Sequence, residues 1–246
     1  MTASTRRERG KADTDREIRH EARTLLVNEG SEAVTLRAIA RKVGITAPAL
    51  YRYYSSREDL IEHIRMDICT DLADELNEDL AQLPDNDVLG QVLAICRGFR
   101  RWAIAHPQEF SLVFASPAEP KSLHDGAVHI LVPTTDPFGR VFLAVAGKVL
   151  TTMTLISPPE DTVPVELRTD LEHFRTSLLA TIADAGFEVT DNLIGAGTAY
   201  AILKFWVRLY GQVALEVFGR FPFAVSKPEP LFEALLADLI AGVGLN

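Results

Sequence analysis

Residues 35–54 read TLRAIARKVGITAPALYRYY, and this segment restricts the fold more than any other part of the chain. Thr35 suits a helix N-cap, and Leu36, Ile39, Ala40 and Val43 recur at the spacing of one helical face. Gly44 breaks that helix, and Thr46 caps the next, where Pro48 is tolerated because it lies in the first turn. Val43 and Ile45 flank the glycine and can pin both helices to a shared core. Leu50 and Tyr54, four residues apart, face inward, while Pro48 and Arg52 lie nearly opposite. Two short helices joined by a glycine-centred turn make a helix-turn-helix unit. The outward face of its second helix carries Thr, Ala, Pro, Arg and Tyr, where a solvated face would carry Glu and Lys. Small residues let a helix approach base edges, and Tyr and Arg reach phosphates or guanine.

The same 3.6-residue period runs through the remaining chain. Ile18, Ala22, Leu25 and Leu26 form one stripe of a helix expected from Asp15, after a basic arm carrying Arg6, Arg7, Arg9 and Lys11. Ser55 and Glu58 have capping-box spacing ahead of a long fourth helix with a Leu/Ile seam from Leu60 to Leu80. Further helices are expected over 88–105, 108–114, 138–156, 164–185, 191–218 and 229–243, with a long connection over 117–137. No stretch alternates like a strand, so the fold class is all-α with nine or ten helices. The net charge of −9 hides a division: residues 1–65 hold 13 Lys/Arg against 10 Asp/Glu, and the rest 12 against 24. A basic head on an acidic body suits a chain that touches nucleic acid at one end. Cys69 and Cys96 lack the spacing of a metal site, no cofactor motif occurs, and the two most apolar windows, Val141–Ile156 and Ala199–Phe218, are broken by Lys148 and by Lys204 and Arg208, so neither reaches the length of a membrane span. A cytoplasmic protein that binds no metal or membrane is expected.

The run from Lys11 to Thr70 resembles the N-terminal domain of the TetR family of bacterial transcriptional regulators. The resemblance rests on the Ile18…Ala22…Leu25 helix, on EGSEAVTLRAIARKVGITAPALYRYYSSREDL, and above all on the Leu50-Tyr51-x-Tyr53-Tyr54 element followed by Ser-Ser-Arg-Glu-Asp-Leu. The family commonly has Phe where this chain has Tyr54. The resemblance implies an N-terminal three-helix DNA-binding domain over 12–72, its helix-turn-helix at 35–54, and a larger ligand-binding and dimerisation domain over 73–246. It implies DNA contacts from Thr35, Arg37, Thr46, Ala47, Pro48, Tyr51, Tyr53 and Arg57, the last holding a phosphate. Leu36, Ile39, Val43, Leu50, Tyr54 and Leu60 are read as core.

RRWAIAHPQEFSLVF (100–114) and WVRLYGQVALEVFGRF (206–221) resemble a WHG-type C-terminal domain, with Tyr210 where the family usually has His. Phe99, Trp102, Phe110, Phe142, Met153, Phe205 and Trp206 are the candidates for lining a pocket that takes a small, largely apolar effector, and Arg140, His173 or Lys204 could orient a polar group. A close helix approach at Gly197 and Ala201 would serve a homodimer. No catalytic motif occurs, so no enzyme is expected. The expected function is a homodimeric transcriptional repressor, reading a palindromic operator in double-stranded DNA and released by an effector through the fourth helix. The alternative is a helical dimeric DNA- or protein-binding regulator without an effector.

Overall fold

Helix α1 (Arg6–Glu29) begins well before the apolar stripe that marks it in the sequence. Where a mobile arm was expected, residues from Arg6 onward are helical. Arg, Glu, Lys and Ala propagate a helix readily once a packed segment has nucleated it, and need no apolar face of their own to do so. Thr14 Oγ1 donates to the Gly10 carbonyl at 3.0 Å and Arg16 pairs with Asp13 on the same stretch. The computed structural model describes residues 6–115, 136–153, 155–184, 186–188 and 194–245. The long connection expected over 117–137 falls almost wholly outside them.

Among the described residues the chain forms ten α-helices and no strand. After α1 come α2 (Leu36–Val43), α3 (Ala47–Leu50), α4 (Arg57–Ala81), α5 (Val88–Ala105) and α6 (Pro107–Phe114). They are followed by α7 (Pro137–Thr152), α8 (Arg168–Asp184), α9 (Ala196–Val217) and α10 (Glu229–Gly242). The chain divides into two units. One holds α1, α2, α3, α4 as far as Cys69, and α6; the other holds α4 from Thr70, α5 and everything from α7 onward.

In the first unit Ile18, Ala22, Leu25 and Leu26 of α1 are buried with Leu36 and Ile39 of α2, Leu50 of α3, and Leu60, Ile64 and Ile68 of α4. Helix α6 joins this core through Phe110, Leu112 and Phe114, and packs on α1. Two polar contacts fix it there. Arg23 Nε donates to Glu109 Oε1, and Arg65 Nε donates to the Leu112 carbonyl at 3.1 Å.

In the second unit α7, α8 and α9 enclose Leu143, Leu171, Leu178, Ile182 and Ala199. Arg100 of α5 makes a bidentate pair with Glu216 of α9, at 2.9 and 2.6 Å, and its guanidinium lies 5.0 Å from the Phe232 ring of α10. Helix α9 starts at Ala196, later than the sequence suggests, because Gly195 takes the extended N-cap conformation. Gly197 therefore lies in the first turn, and it does not leave room for a partner helix. A Cβ there would stand 2.0 Å from the Pro158 carbonyl oxygen of the same chain.

Candidate nucleic-acid interface and apolar cavity

The helix-turn-helix is held by its own caps. Thr35 Oγ1 accepts from the Ala38 N–H at 3.2 Å, and Thr46 Oγ1 accepts from the Ala49 N–H at 3.3 Å. Between them Gly44 adopts φ 74° and ψ 24°, a left-handed geometry that glycine takes without strain, and the Ile45 N–H donates to the Ala40 carbonyl. Helix α3 is a single turn of 4 residues. After Leu50 the chain leaves the helix in a turn, with Arg52 donating to the Ala49 carbonyl and both Tyr53 and Tyr54 to the Leu50 carbonyl.

This geometry exposes Thr35, Arg37, Thr46, Pro48 and Tyr51, and leaves Ala47 and Tyr53 half-buried. Tyr51 is 58% exposed, far more than a core tyrosine would be. Residues 35–54 also include Arg37, Arg41, Lys42 and Arg52 and no acidic residue. All four cations are exposed, and none forms an ion pair among the described residues. Arg41, Lys42 and Arg52 were not among the residues named from the family pattern; the signal that finds them is the absence of acids over twenty positions.

Arg57, which the resemblance assigns to a phosphate, makes two hydrogen bonds to carbonyls of its own unit. Its Nε donates to the Val34 carbonyl at 2.8 Å and its Nη2 to the Ser31 carbonyl at 2.7 Å. The guanidinium thus clasps the connection that presents Thr35, an action that positions the reader. The cap of α4 lies one residue later than Ser55 and Glu58 would place it. Ser56 Oγ accepts from the Asp59 N–H at 3.1 Å, and Asp59 Oδ2 accepts from the N–H and hydroxyl of Ser55. Those two donors, the backbone one foremost, hold the Asp59 carboxyl below the usual range.

Tyr54 is buried, and its hydroxyl donates to Asp15 Oδ1 at 2.6 Å. Burial, reinforced by the hydrogen bond to the Asp15 carboxylate, pushes the phenol well above its ordinary value, so it stays protonated. Tyr54→Phe is expected to lower stability by about 1–2 kcal/mol, since Asp15 keeps Arg19 at 3.2 Å as a second partner. Urea unfolding checks this; an unchanged midpoint would show the hydroxyl contributes nothing.

A cavity of about 400 Å³ opens in the second unit, between α5, α7, α8 and α9. Of the residues named for it, Phe142, Phe205 and Trp206 line it. Phe99 stands behind that wall, its ring 5.5 Å from Trp206 and 5.3 Å from Phe138. Trp102 is buried in the core, and Met153 ends α7 in extended backbone; neither is on the wall. Phe110 belongs to the first unit, because α6 folds onto α1. Val243 and Leu245 close the cavity with Ile156, whose N–H donates to the Val243 carbonyl at 3.0 Å. Arg140, His173 and Lys204 do not line it; Lys204 Nζ lies 4.5 Å from the Tyr200 ring. Among the described residues no cluster of His, Cys, Asp and Glu could hold a metal ion, and no helix is long and apolar enough to cross a membrane.

A capped, acid-free helix-turn-helix with an exposed second helix is the geometry of a DNA-binding regulator. Two family models match the chain: bacterial regulatory proteins of the tetR family over residues 18–64, and the tetracyclin repressor-like C-terminal domain over 92–239. The chain belongs to the TetR family and is a DNA-binding transcriptional regulator. It is 29% identical over 220 residues to the HTH-type transcriptional regulators Rv1816 of Mycobacterium tuberculosis and Mb1846 of Mycobacterium bovis, covering 89% of this chain and 87% of each relative. Its fold is also similar to the crystal structure of regulatory protein SCO4313, with TM-score 0.63 and 26% identity, over 96% of this chain and 100% of that one. Regulators of this family bind DNA and dimerise.

Proposed function

We propose that the chain is a homodimeric repressor that binds a palindromic operator and leaves it when a small, largely apolar effector enters the cavity. The observation that carries the DNA-reading half is the exposed face of residues 35–54, with four unpaired cations, no acid and a capped recognition helix. Thr35, Arg37, Tyr51, Tyr53 and Arg52 address the phosphate backbone, and Thr46, Ala47 and Pro48 the base edges. Arg57 holds the connection before Thr35 in place. The boundary between reader and effector module falls within α4, whose residues to Cys69 group with the reader.

The dimer reading is supported by α9. Val207, Leu215 and Phe218 are exposed at helical spacing on one face, with Gly211 between them facing open space. One short recognition helix makes few contacts, and a two-fold pair reading two half-sites doubles them.

Mobility-shift titration on the DNA upstream of the chain's own gene, at several salt concentrations, tests the reading. Affinity should fall steeply with salt. Tyr51→Ala should weaken binding to every sequence alike by about 30-fold, if each of two heads loses roughly 1 kcal/mol. Substitutions at Ala47 or Pro48 should change which operator is preferred. A folded Tyr51→Ala protein with full affinity would remove Tyr51 from the interface. A shift that no apolar compound reverses would favour a regulator without an effector.

A further inference from the structure

The walls of the cavity are almost wholly hydrocarbon, which makes the exceptions informative. Leu167, Asp170, Leu171 and Phe174 follow one another at helical spacing, and all four line it. Asp170 thus occupies a place that the stripe otherwise gives to apolar side chains. A carboxylate in the first turn stabilises the start of α8 from any face of the helix, so that role does not explain why it sits on this one. Asp170 is exposed, at the solvent side of the cavity, and forms no ion pair among the described residues.

The other polar groups on the wall are otherwise occupied. Ser157 Oγ lies 2.7 Å from Thr198 Oγ1. The Cys96 thiol is fully buried, and burial pushes it up to about 12, so it brings no charge. No described lining residue is cationic, and Arg168, two positions before Asp170, does not face the cavity. An anionic head group would therefore meet an unpaired carboxylate and no cation. A cationic head would supply the missing partner while its tail replaced water along the apolar wall.

We infer that the effector is an amphiphile with an apolar body and a cationic ammonium or amidinium head, selected by Asp170 at the mouth of the cavity. The inference rests on the effector reading of this cavity. A cavity of about 400 Å³ lies within the usual span for small-molecule sites, roughly 300–1,000 Å³. Rejection of carboxylates follows from like-charge repulsion, and specificity of this kind is a difference of affinities.

Three probes with one tail separate the head group from the pocket: dodecylammonium, dodecanol and dodecanoate, each below its micelle concentration and near neutral pH. In a Trp102→Phe background the fluorescence reports Trp206 on the cavity wall, and calorimetry on the unaltered full chain checks the ranking. Dodecylammonium should bind about 5-fold more tightly than dodecanol, the effect of one partly exposed ion pair, with dodecanoate weakest. Asp170→Asn should bring all three within about 2-fold of one another, and Asp170→Lys should place dodecanoate first. Equal binding of the three by the unaltered chain, or dodecanoate tightest, would overturn the head-group inference and leave the cavity reading standing. Binding of none would overturn the cavity reading and this inference with it.

Discussion

Arg23→Ala should destabilise the DNA-reading unit by about 2–3 kcal/mol, short of the roughly 3–5 kcal/mol for a fully buried ion pair because the Arg23 side chain is 28% exposed. Glu109 is only 3% exposed, and its Oε1 accepts from Arg23 Nε. Its Oε2 is buried without a hydrogen-bond partner, so Arg23 is the one partner that the described residues show for this carboxylate. The pair also joins α1 to α6 across 86 residues of sequence. Its loss should free α6 and lower operator affinity through the reader's packing, although neither residue belongs to the recognition surface. The double variant Arg23→Met with Glu109→Leu should recover most of the loss, because a well-packed apolar pair can match a buried ionic one. Urea unfolding, with limited proteolysis to locate the loosened segment, measures both. A single variant within about 1 kcal/mol of the parent would mean that the pair behaves like a surface bridge.

Gly197→Ala should destabilise the protein by about 2–3 kcal/mol, in the upper part of the range for overpacking. Helix propensity alone gives the opposite sign, since alanine in place of glycine stabilises a helix by roughly 0.5–1 kcal/mol. The contact decides against propensity: the added methyl would sit 2.0 Å from the Pro158 carbonyl oxygen, and backbone cannot rotate away as a side chain would. Pro158 directly follows Ile156 and Ser157 on the cavity wall, so a shift there should also weaken effector binding. Thermal unfolding settles the sign. A raised melting temperature would mean that the Pro158 segment yields easily.

What could be read from the sequence was local. The caps at Thr35 and Thr46, the break at Gly44 and the inward Leu50 and Tyr54 each depend on residues within a few positions of one another, and the structure realises them. The α4 cap shows the limit of that reasoning, because two serines and two acids stand side by side, and spacing alone cannot choose Ser56 and Asp59 over Ser55 and Glu58. The hydrogen bonds of Arg57 were not legible because its carbonyl partners lie 23 and 26 residues earlier. Phe99 and Phe142 are both phenylalanines within helices, yet one is behind the cavity wall and the other on it. That distinction depends on how α5, α7 and α9 meet, which no periodicity encodes. Asp170 was overlooked for the same reason: a first-turn acid is unremarkable until its helix face is known.

The grouping of α6 with the reader has a consequence for inheritance. A recombination event that exchanged the first seventy residues between two relatives would carry Arg23 into a chain whose position 109 came from the other parent. Such a hybrid keeps its recognition helix, but it keeps the anchor of α1 only if the other parent supplies a carboxylate at 109. Operator specificity can then pass between lineages as a cassette only when both parents carry a compatible pair at 23 and 109.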